Sequence, residues 1–315
     1  MREGLDQGKF SGLGMHPRRV QAGGRASRGP VPTEGRHCSC CGQVVYLDYY
    51  GLREWPFDLS PNPRFLFYSA KHREAFNHLL YGMRERKGFV QLTGEVGAGK
   101  TTLCRALLEQ MDGEFATALI LNPVLSAGEL LKAIATEFGL LVRGLDRLET
   151  LAVLNKFLLQ QAERRRDAVL LIDEAQDLTD ELLEQVRLLS NLETDNRKLL
   201  QIVLLGQPEL RDRLNHPRLR QLRQRITVRY HLLPLDRCEM TRYIRHRLEI
   251  SGANGAPYFT RAALWRVYRY SQGVPRLVNA VCDKALLAGF VEQRERIDFR
   301  MVGRAVHELE GHFAA

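Results

Sequence analysis

The chain has 315 residues, 44% of them hydrophobic and 26% charged, and carries a formal net charge of +9. That composition excludes a wholly disordered polymer and fits one large domain or two modest ones. The longest apolar runs, at 168–172 and 202–206, fall far short of the ~20 residues of a membrane helix, and the N-terminus lacks a secretory h-region. A cytoplasmic setting is therefore expected.

Residues 1–44 are rich in Gly, Arg and Pro, hold seven Lys/Arg against three Asp/Glu, and lack apolar periodicity. They are expected to form a disordered tail. Within them, His37, Cys38, Cys40 and Cys41 sit together. A tetrahedral zinc site normally draws on two separated ligand pairs, and no second pair follows at usable spacing, so no metal is expected. Folded-domain composition begins abruptly at Val45, and a valine codon can start translation. The tail is on that ground expected not to be native.

From 45 to 235, short apolar runs at 88–93, 116–121, 167–172, 199–206 and 226–232 alternate with amphipathic stretches at 71–85, 101–111, 126–138, 148–164 and 180–192. This alternation predicts an α/β fold with a parallel sheet covered by helices on both faces. After 235 the strand pattern stops. Stretches 236–250, 260–270, 274–289 and 298–310 predict a small all-helical domain over 236–315, with Asp236, Thr260 and Asp298 as N-caps. Cys104, Cys238 and Cys282 fall in helical stretches and are expected to be small buried thiols.

Directly after the first predicted strand comes Gly94-Glu95-Val96-Gly97-Ala98-Gly99-Lys100-Thr101, a complete G-x-x-x-x-G-K-[ST]. The glycines permit backbone angles that side chains forbid, so the loop's N–H groups can wrap a phosphate at the positive end of the following helix. Lys100 is expected to reach the β- and γ-phosphates of ATP, Thr101 to offer its hydroxyl to Mg²⁺, and Thr102 to close the cradle. Asp173 and Glu174 follow the continuous apolar run 168–172. Asp173 is expected to help hold Mg²⁺, and Glu174 to act as general base. Taken alone, two acids after a strand read equally well as caps of the next helix.

Gln207 follows the fourth strand, where a polar side chain can sense the γ-phosphate and orient water. Arg218, Arg220, Arg223 and Arg225 crowd the stretch before the fifth. Arg225 is the candidate arginine finger for a neighbouring subunit; each arginine reads equally well as part of a solvated basic face. Arg276, in Gly273-Val274-Pro275-Arg276, stands at a helix start from which it can fold over a nucleotide.

Together the P-loop, Asp173-Glu174, Gln224-Arg225 and Gly-x-Pro-Arg276 resemble an AAA+ ATPase. Residues 49–66, Leu80-Tyr81-Gly82, 206–210 and 221–235 are similar to the general secretion pathway protein A (ExeA-type) ATPases, over about residues 46 to 312. The resemblance implies a P-loop AAA+ sheet domain (45–235) followed by a helical lid (236–315). It gives Arg225 the arginine-finger role in a homo-oligomer and Arg276 the role of a lid sensor. It also implies a cytoplasmic ATPase that assists assembly of the type II secretion apparatus. Longer members continue through a transmembrane helix into a peptidoglycan-binding region. This sequence ends after the lid, so the resemblance implies a separate membrane-anchored partner at the inner membrane. A DNA-associated AAA+ ATPase of the transposition-accessory type is the alternative, since arginines at 211–229 and 242–247 can follow a phosphate backbone. Because AAA+ proteins bring their leading segment near the base, Tyr68 is an expected adenine contact. Trp55, Phe57, Phe65 and Phe67 are expected to staple that leader to the sheet's helices.

Overall fold

A computed structural model describes residues 46–311 except 61, 112, 122, 124, 195 and 196, and the side chain of Thr194. The expectations for residues 1–44, both the disordered, non-native tail and the absence of a metal, lie outside the described residues.

The chain opens with a short helix, α1 (Tyr46–Tyr50), and an extended leader that reaches α2 (Ala70–Arg84). The next units are β1 (Phe89–Gly94), α3 (Lys100–Gln110), β2 (Phe115–Ile120), α4 (Ala127–Glu137), α5 (Arg147–Glu163), β3 (Asp167–Ile172) and α6 (Asp180–Leu189). A two-residue ribbon, β4 (Glu193–Thr194) with β5 (Arg197–Lys198), precedes β6 (Leu200–Gly206), α7 (Pro208–Leu214), α8 (Arg220–Arg225) and β7 (Ile226–Leu232). Strands β2-β3-β6-β1-β7 form one parallel sheet in that order.

The apolar strands explain its two-sided burial. Leu170, Ile172, Ile202 and Leu204 pack with Leu130, Ile134, Leu154, Leu158 and Leu183 on one face. Their strand neighbours Val169, Leu171, Val203 and Leu205 pack with Leu79, Leu103 and Leu107 on the other. Successive side chains on a strand point to opposite faces, so an unbroken apolar run means both faces are covered. Each such fully buried side chain contributes about 1.5–3 kcal/mol relative to exposure. The helices start where their polar residues can hold free amides. Ser126 and Asp146 each form a reciprocal capping box, with Glu129 and Glu149.

The C-terminal part holds α9 (Arg237–Ile250), α10 (Arg261–Ser271), α11 (Pro275–Val291) and α12 (Phe299–Leu309), capped by Asp236, Thr260 and Asp298 as expected. It is not all helical. β8 (Tyr258–Phe259) pairs in parallel with β9 (Arg296–Ile297). Two residues are too few to carry a period-2 signal, which is why the pattern hid them. Cys104 and Cys282 are buried, whereas Cys238 is exposed on the outward side of α9.

The leader departs furthest from expectation. Tyr46, Tyr50, Leu52 and Phe57 belong to the apolar core of α9–α12, not to the helices of the sheet. The Tyr46 hydroxyl donates to Asp283, and the Tyr50 hydroxyl reaches the Leu286 and Arg294 carbonyls at 3.0 and 3.1 Å. Phe67 meets Tyr243 edge-on. Trp55 stays 45% exposed, edge-on to Tyr46. Aromatic content alone is the same against either surface; here the rings of Tyr46, Tyr50 and Phe57 are buried among α9–α12.

The chain thus crosses between the sheet and the helical part twice, near Ser69 and near Leu235. The second crossing is tight. Gly273 has φ +78°, and a Cβ there would lie 1.9 Å from the Leu235 carbonyl oxygen, whose own N–H donates to Gly273 O at 3.0 Å. Only glycine fits.

Candidate functional site

Between the C-terminal edges of β1 and β3 and the N-terminus of α11 lies a cavity of about 380 Å³. Its walls include Val96, Gly97, Gly99, Lys100, Thr101, Thr102, Glu174 and Arg276 of the expected set.

The loop from Gly94 to Gly99 turns through two left-handed glycines, Gly97 (φ +75°) and Gly99 (φ +97°), the second being the N-cap of α3. The first amides of α3 have no acceptor within the helix, and with the loop amides they make a concave donor surface suited to an anion. Lys100 is 5% exposed, and its ammonium donates to the Gly94 and Glu95 carbonyls at 2.8 and 3.1 Å. Burial lowers its pKa from the ordinary lysine value, against the pull of Glu174, Asp173, Glu95 and Glu209. Gly94, Glu95 and Ala98 belong to the loop but do not line the cavity, and neither does Asp173.

Asp173 is buried at the end of β3. The Thr101 hydroxyl donates to its Oδ2 at 2.5 Å, while its Oδ1 accepts from the Glu174 N–H at 2.9 Å. A hydroxyl and a carboxylate in contact beside this loop fit Mg²⁺, which takes one or two protein carboxylates and completes its shell with water and phosphate. Glu174 takes a left-handed conformation (φ +49°, ψ +40°), uncommon for a residue with a side chain. Its Oε2 accepts from Gln176 Nε2 at 2.8 Å and from Gln207 Nε2 at 3.3 Å. Gln207 therefore touches the carboxylate of Glu174 and stands behind it rather than in the cavity wall.

From the helical side, the Arg276 N–H donates to Gly97 O at 3.2 Å. A Cβ on Gly97 would come 2.3 Å from the Arg276 Cβ, so the glycine is what lets α11 close on the loop. Two expected residues stand elsewhere. Tyr68 is not in the cavity wall: its hydroxyl accepts from Gln110 at the far end of α3 and its ring packs on Phe76. Its neighbour Phe67 lines the cavity, and in the extended stretch before α2 successive side chains point to opposite sides. Arg225 lies at the end of α8 and donates to Ser190 Oγ and Asn191 Oδ1 at 2.7 and 2.5 Å.

Several residues without a motif complete the site. His72 backs the loop: its Nε2 contacts Ala98 O at 3.2 Å and its Nδ1 contacts Ser69 Oγ at 2.8 Å. A carbonyl can only accept, so Nε2 carries the hydrogen. Burial pushes the imidazole pKa down, and the neutral ring leaves Nδ1 to accept from the hydroxyl. At the far end, Arg247 is 5% exposed and lies over the Phe65 ring at 4.6 Å. It donates to Tyr243 Oη at 2.8 Å and to Asp58 O at 3.3 Å, an oxygen that Asn279 Nδ2 also reaches at 3.3 Å. Asp58, Phe65, Arg247 and Asn279 come from three distant stretches, and no local spacing announces them. Gln176 had a signal, since it follows the Asp173-Glu174 pair by two residues.

Among the described residues no helix is long and apolar enough to cross a membrane. Residues 83–214 match the family model described as an AAA domain. The chain is 48% identical over 270 residues to General secretion pathway protein A of Aeromonas hydrophila, covering 85% of this chain and 49% of that protein. It thus spans about half the length of that relative. The Aeropyrum pernix ORC2 protein superposes with a TM-score of 0.62 at 18% identity, over 82% of this chain and 72% of that one. Cdc6p from Pyrobaculum aerophilum gives 0.60 at 19%, over 80% and 70%. The RuvB Holliday junction branch migration motor of Thermotoga maritima gives 0.52 at 20%, over 77% and 69%. Residues 83–214 are accordingly an AAA domain on an AAA+ scaffold, and the chain is similar to General secretion pathway protein A along most of its length.

Proposed function

We propose that the protein binds Mg²⁺–ATP in this cavity and hydrolyses it to ADP and phosphate. The observation that carries the reading is the junction of Thr101 with Asp173 at 2.5 Å, with Glu174 the next residue, beside the Gly94–Lys100 loop. The loop amides and Lys100 hold the β- and γ-phosphates, the ammonium exchanging its carbonyl partners for phosphate oxygens. Thr101 and Asp173 hold Mg²⁺, which supplies charge neutralisation on the phosphates. Glu174 takes a proton from water as its oxygen attacks the γ-phosphorus and the bond to the β-bridging oxygen breaks. Arg276 joins the γ-phosphate to α11, so that its loss loosens the helical part.

In this reading Arg225 serves the site of a neighbouring copy, in a nucleotide-dependent homo-oligomer. Its place outside its own cavity supports that assignment. The division into a nucleotide-binding domain (45–235) and a lid (236–315) is part of the same proposal, with the leader moving with the lid. The likeness to General secretion pathway protein A supports a cytoplasmic assembly factor in type II secretion, acting with a membrane-anchored partner.

The test is ATP turnover of the wild type and Glu174→Gln, with and without duplex DNA, at two salt concentrations. The proposal expects turnover indifferent to DNA and lowered about 10²- to 10⁴-fold in the variant, the usual weight of a general base. Wild-type turnover that the variant retains would overturn the assignment of Glu174. Strong, salt-sensitive stimulation by DNA would move the protein to the DNA-linked class.

A further inference from the structure

The Gln176 side chain touches both the candidate base and the backbone of the candidate γ-phosphate sensor. Its Nε2 donates to Glu174 Oε2 at 2.8 Å, and its Oε1 accepts from the Gln207 N–H at 3.0 Å. The second bond fixes which end of the amide is oxygen, because a backbone N–H can only donate. Its own carbonyl accepts from Arg213, which also holds Asp180 at 3.0 Å. Space for the amide is provided by Gly206: a Cβ there would lie 2.9 Å from Gln176 Oε1 and 2.7 Å from Leu210. The turn it spans begins with Glu174 in its left-handed conformation.

We propose that Gln176 is a positioning residue for hydrolysis: a staple that aims the Glu174 carboxylate and keeps it in register with Gln207 at the start of α7. The inference rests on the ATPase reading above. A left-handed turn bearing a long carboxylate has several rotamers open to it, and two amide donors on one oxygen restrict them. With Oε2 so held, Oε1 is the oxygen left to take the proton from water. The bond to the Gln207 N–H couples that aim to the strand-to-helix corner that feels the γ-phosphate. Gln207 Nε2 alone, at 3.3 Å, is the weaker of the two restraints.

The test is steady-state ATP turnover of the full chain, with ADP affinity by titration and thermal melting measured alongside, for the wild type, Gln176→Ala, Gln176→Glu and the double variant Gln176→Ala/Glu174→Gln. Misplacing a reacting group by about 1 Å costs on the order of 10²-fold. Gln176→Ala is therefore expected to lower kcat about 10- to 100-fold, with ADP affinity and KM changed less than about threefold. Gln176→Glu keeps the acceptor for Gln207 and sets a second carboxylate against Glu174, so it should be no better. In the Glu174→Gln background the alanine change should add almost nothing, because a positioning residue acts through the group it positions. A Gln176→Ala protein with wild-type kcat would overturn the inference, as would a parallel loss of ADP affinity or full additivity in the double variant. Absence of turnover in the wild type would instead remove the ATPase reading and this inference with it.

Discussion

The two ends of the cavity are built in opposite ways. The proposed phosphate end is made from three short segments, 94–102, 173–176 and 206–207, each at the end of a strand of one sheet, and parallel strands bring those edges together. The other end joins a leader residue (Asp58), a ring from the same leader (Phe65), a buried cation on α9 (Arg247) and an amide on α11 (Asn279). Topology assembles the first; packing of a helical core assembles the second. The first should therefore fail by loss of chemistry with the fold intact, and the second by loss of fold or closure with the chemistry intact.

The largest expected effect is at the phosphate end. Lys100→Ala should lower nucleotide affinity about 10- to 150-fold, the value of a charged hydrogen bond of about 1.5–3 kcal/mol, with a melting temperature near that of the wild type. At the crossing point the expectation reverses. Gly273→Ala forces a Cβ against the Leu235 carbonyl at a positive φ, and should cost about 1–3 kcal/mol of stability, read by denaturant unfolding. Glu174→Gln should leave that unfolding curve unchanged. If Gly273→Ala melts like the wild type, the crossing at Leu235 is looser than the Gly273 contact implies.

Arg247→Ala removes two donors from Asp58 O and Tyr243 Oη inside a buried network, and should destabilise by about 1–3 kcal/mol. A smaller loss, about 1 kcal/mol per hydrogen bond, is expected of Tyr50→Phe, which unties the leader from α11 and from the turn after it. Both belong to the helical end, and neither should change kcat for the nucleotide that still binds.

The smallest effect is a pH dependence behind the loop. Burial holds the His72 imidazole below its ordinary value of 6.5, so the folded protein binds fewer protons there than the unfolded chain. That contribution is intact above pH 6.5 and is lost as the pH falls below it toward the folded value. The melting temperature should drop more steeply below pH 6.5 in the wild type than in His72→Asn.

The same contrast explains what could be read from sequence. The five strands of the main sheet, most helices and the meeting of Lys100, Thr101, Asp173 and Glu174 at one sheet edge were legible because local periodicity and fixed spacing determine them. Gln176 was within reach of the same reading, two residues past Glu174. The leader was misread because Phe57 and Phe67 are equally apolar whichever surface they meet, and only the tertiary packing on α9–α12 decides. Tyr68 was assigned to the base by analogy with where a leader runs, whereas its ring packs on Phe76 and its neighbour Phe67 takes the cavity side. Arg247 and Asn279 lie on helices with no motif, brought to the cavity by packing alone.

The central claim is that this cavity is a nucleotide site whose phosphate end is the Gly94–Thr102 cradle. A calorimetric titration of Mg²⁺–ADP into the wild type, Lys100→Ala and Glu174→Gln tests it most directly. The account predicts one ADP per chain, affinity lost in Lys100→Ala and kept within about threefold in Glu174→Gln, since the general base acts on water rather than on ADP. Absence of ADP binding to the wild type, or binding indifferent to Lys100→Ala, would contradict it.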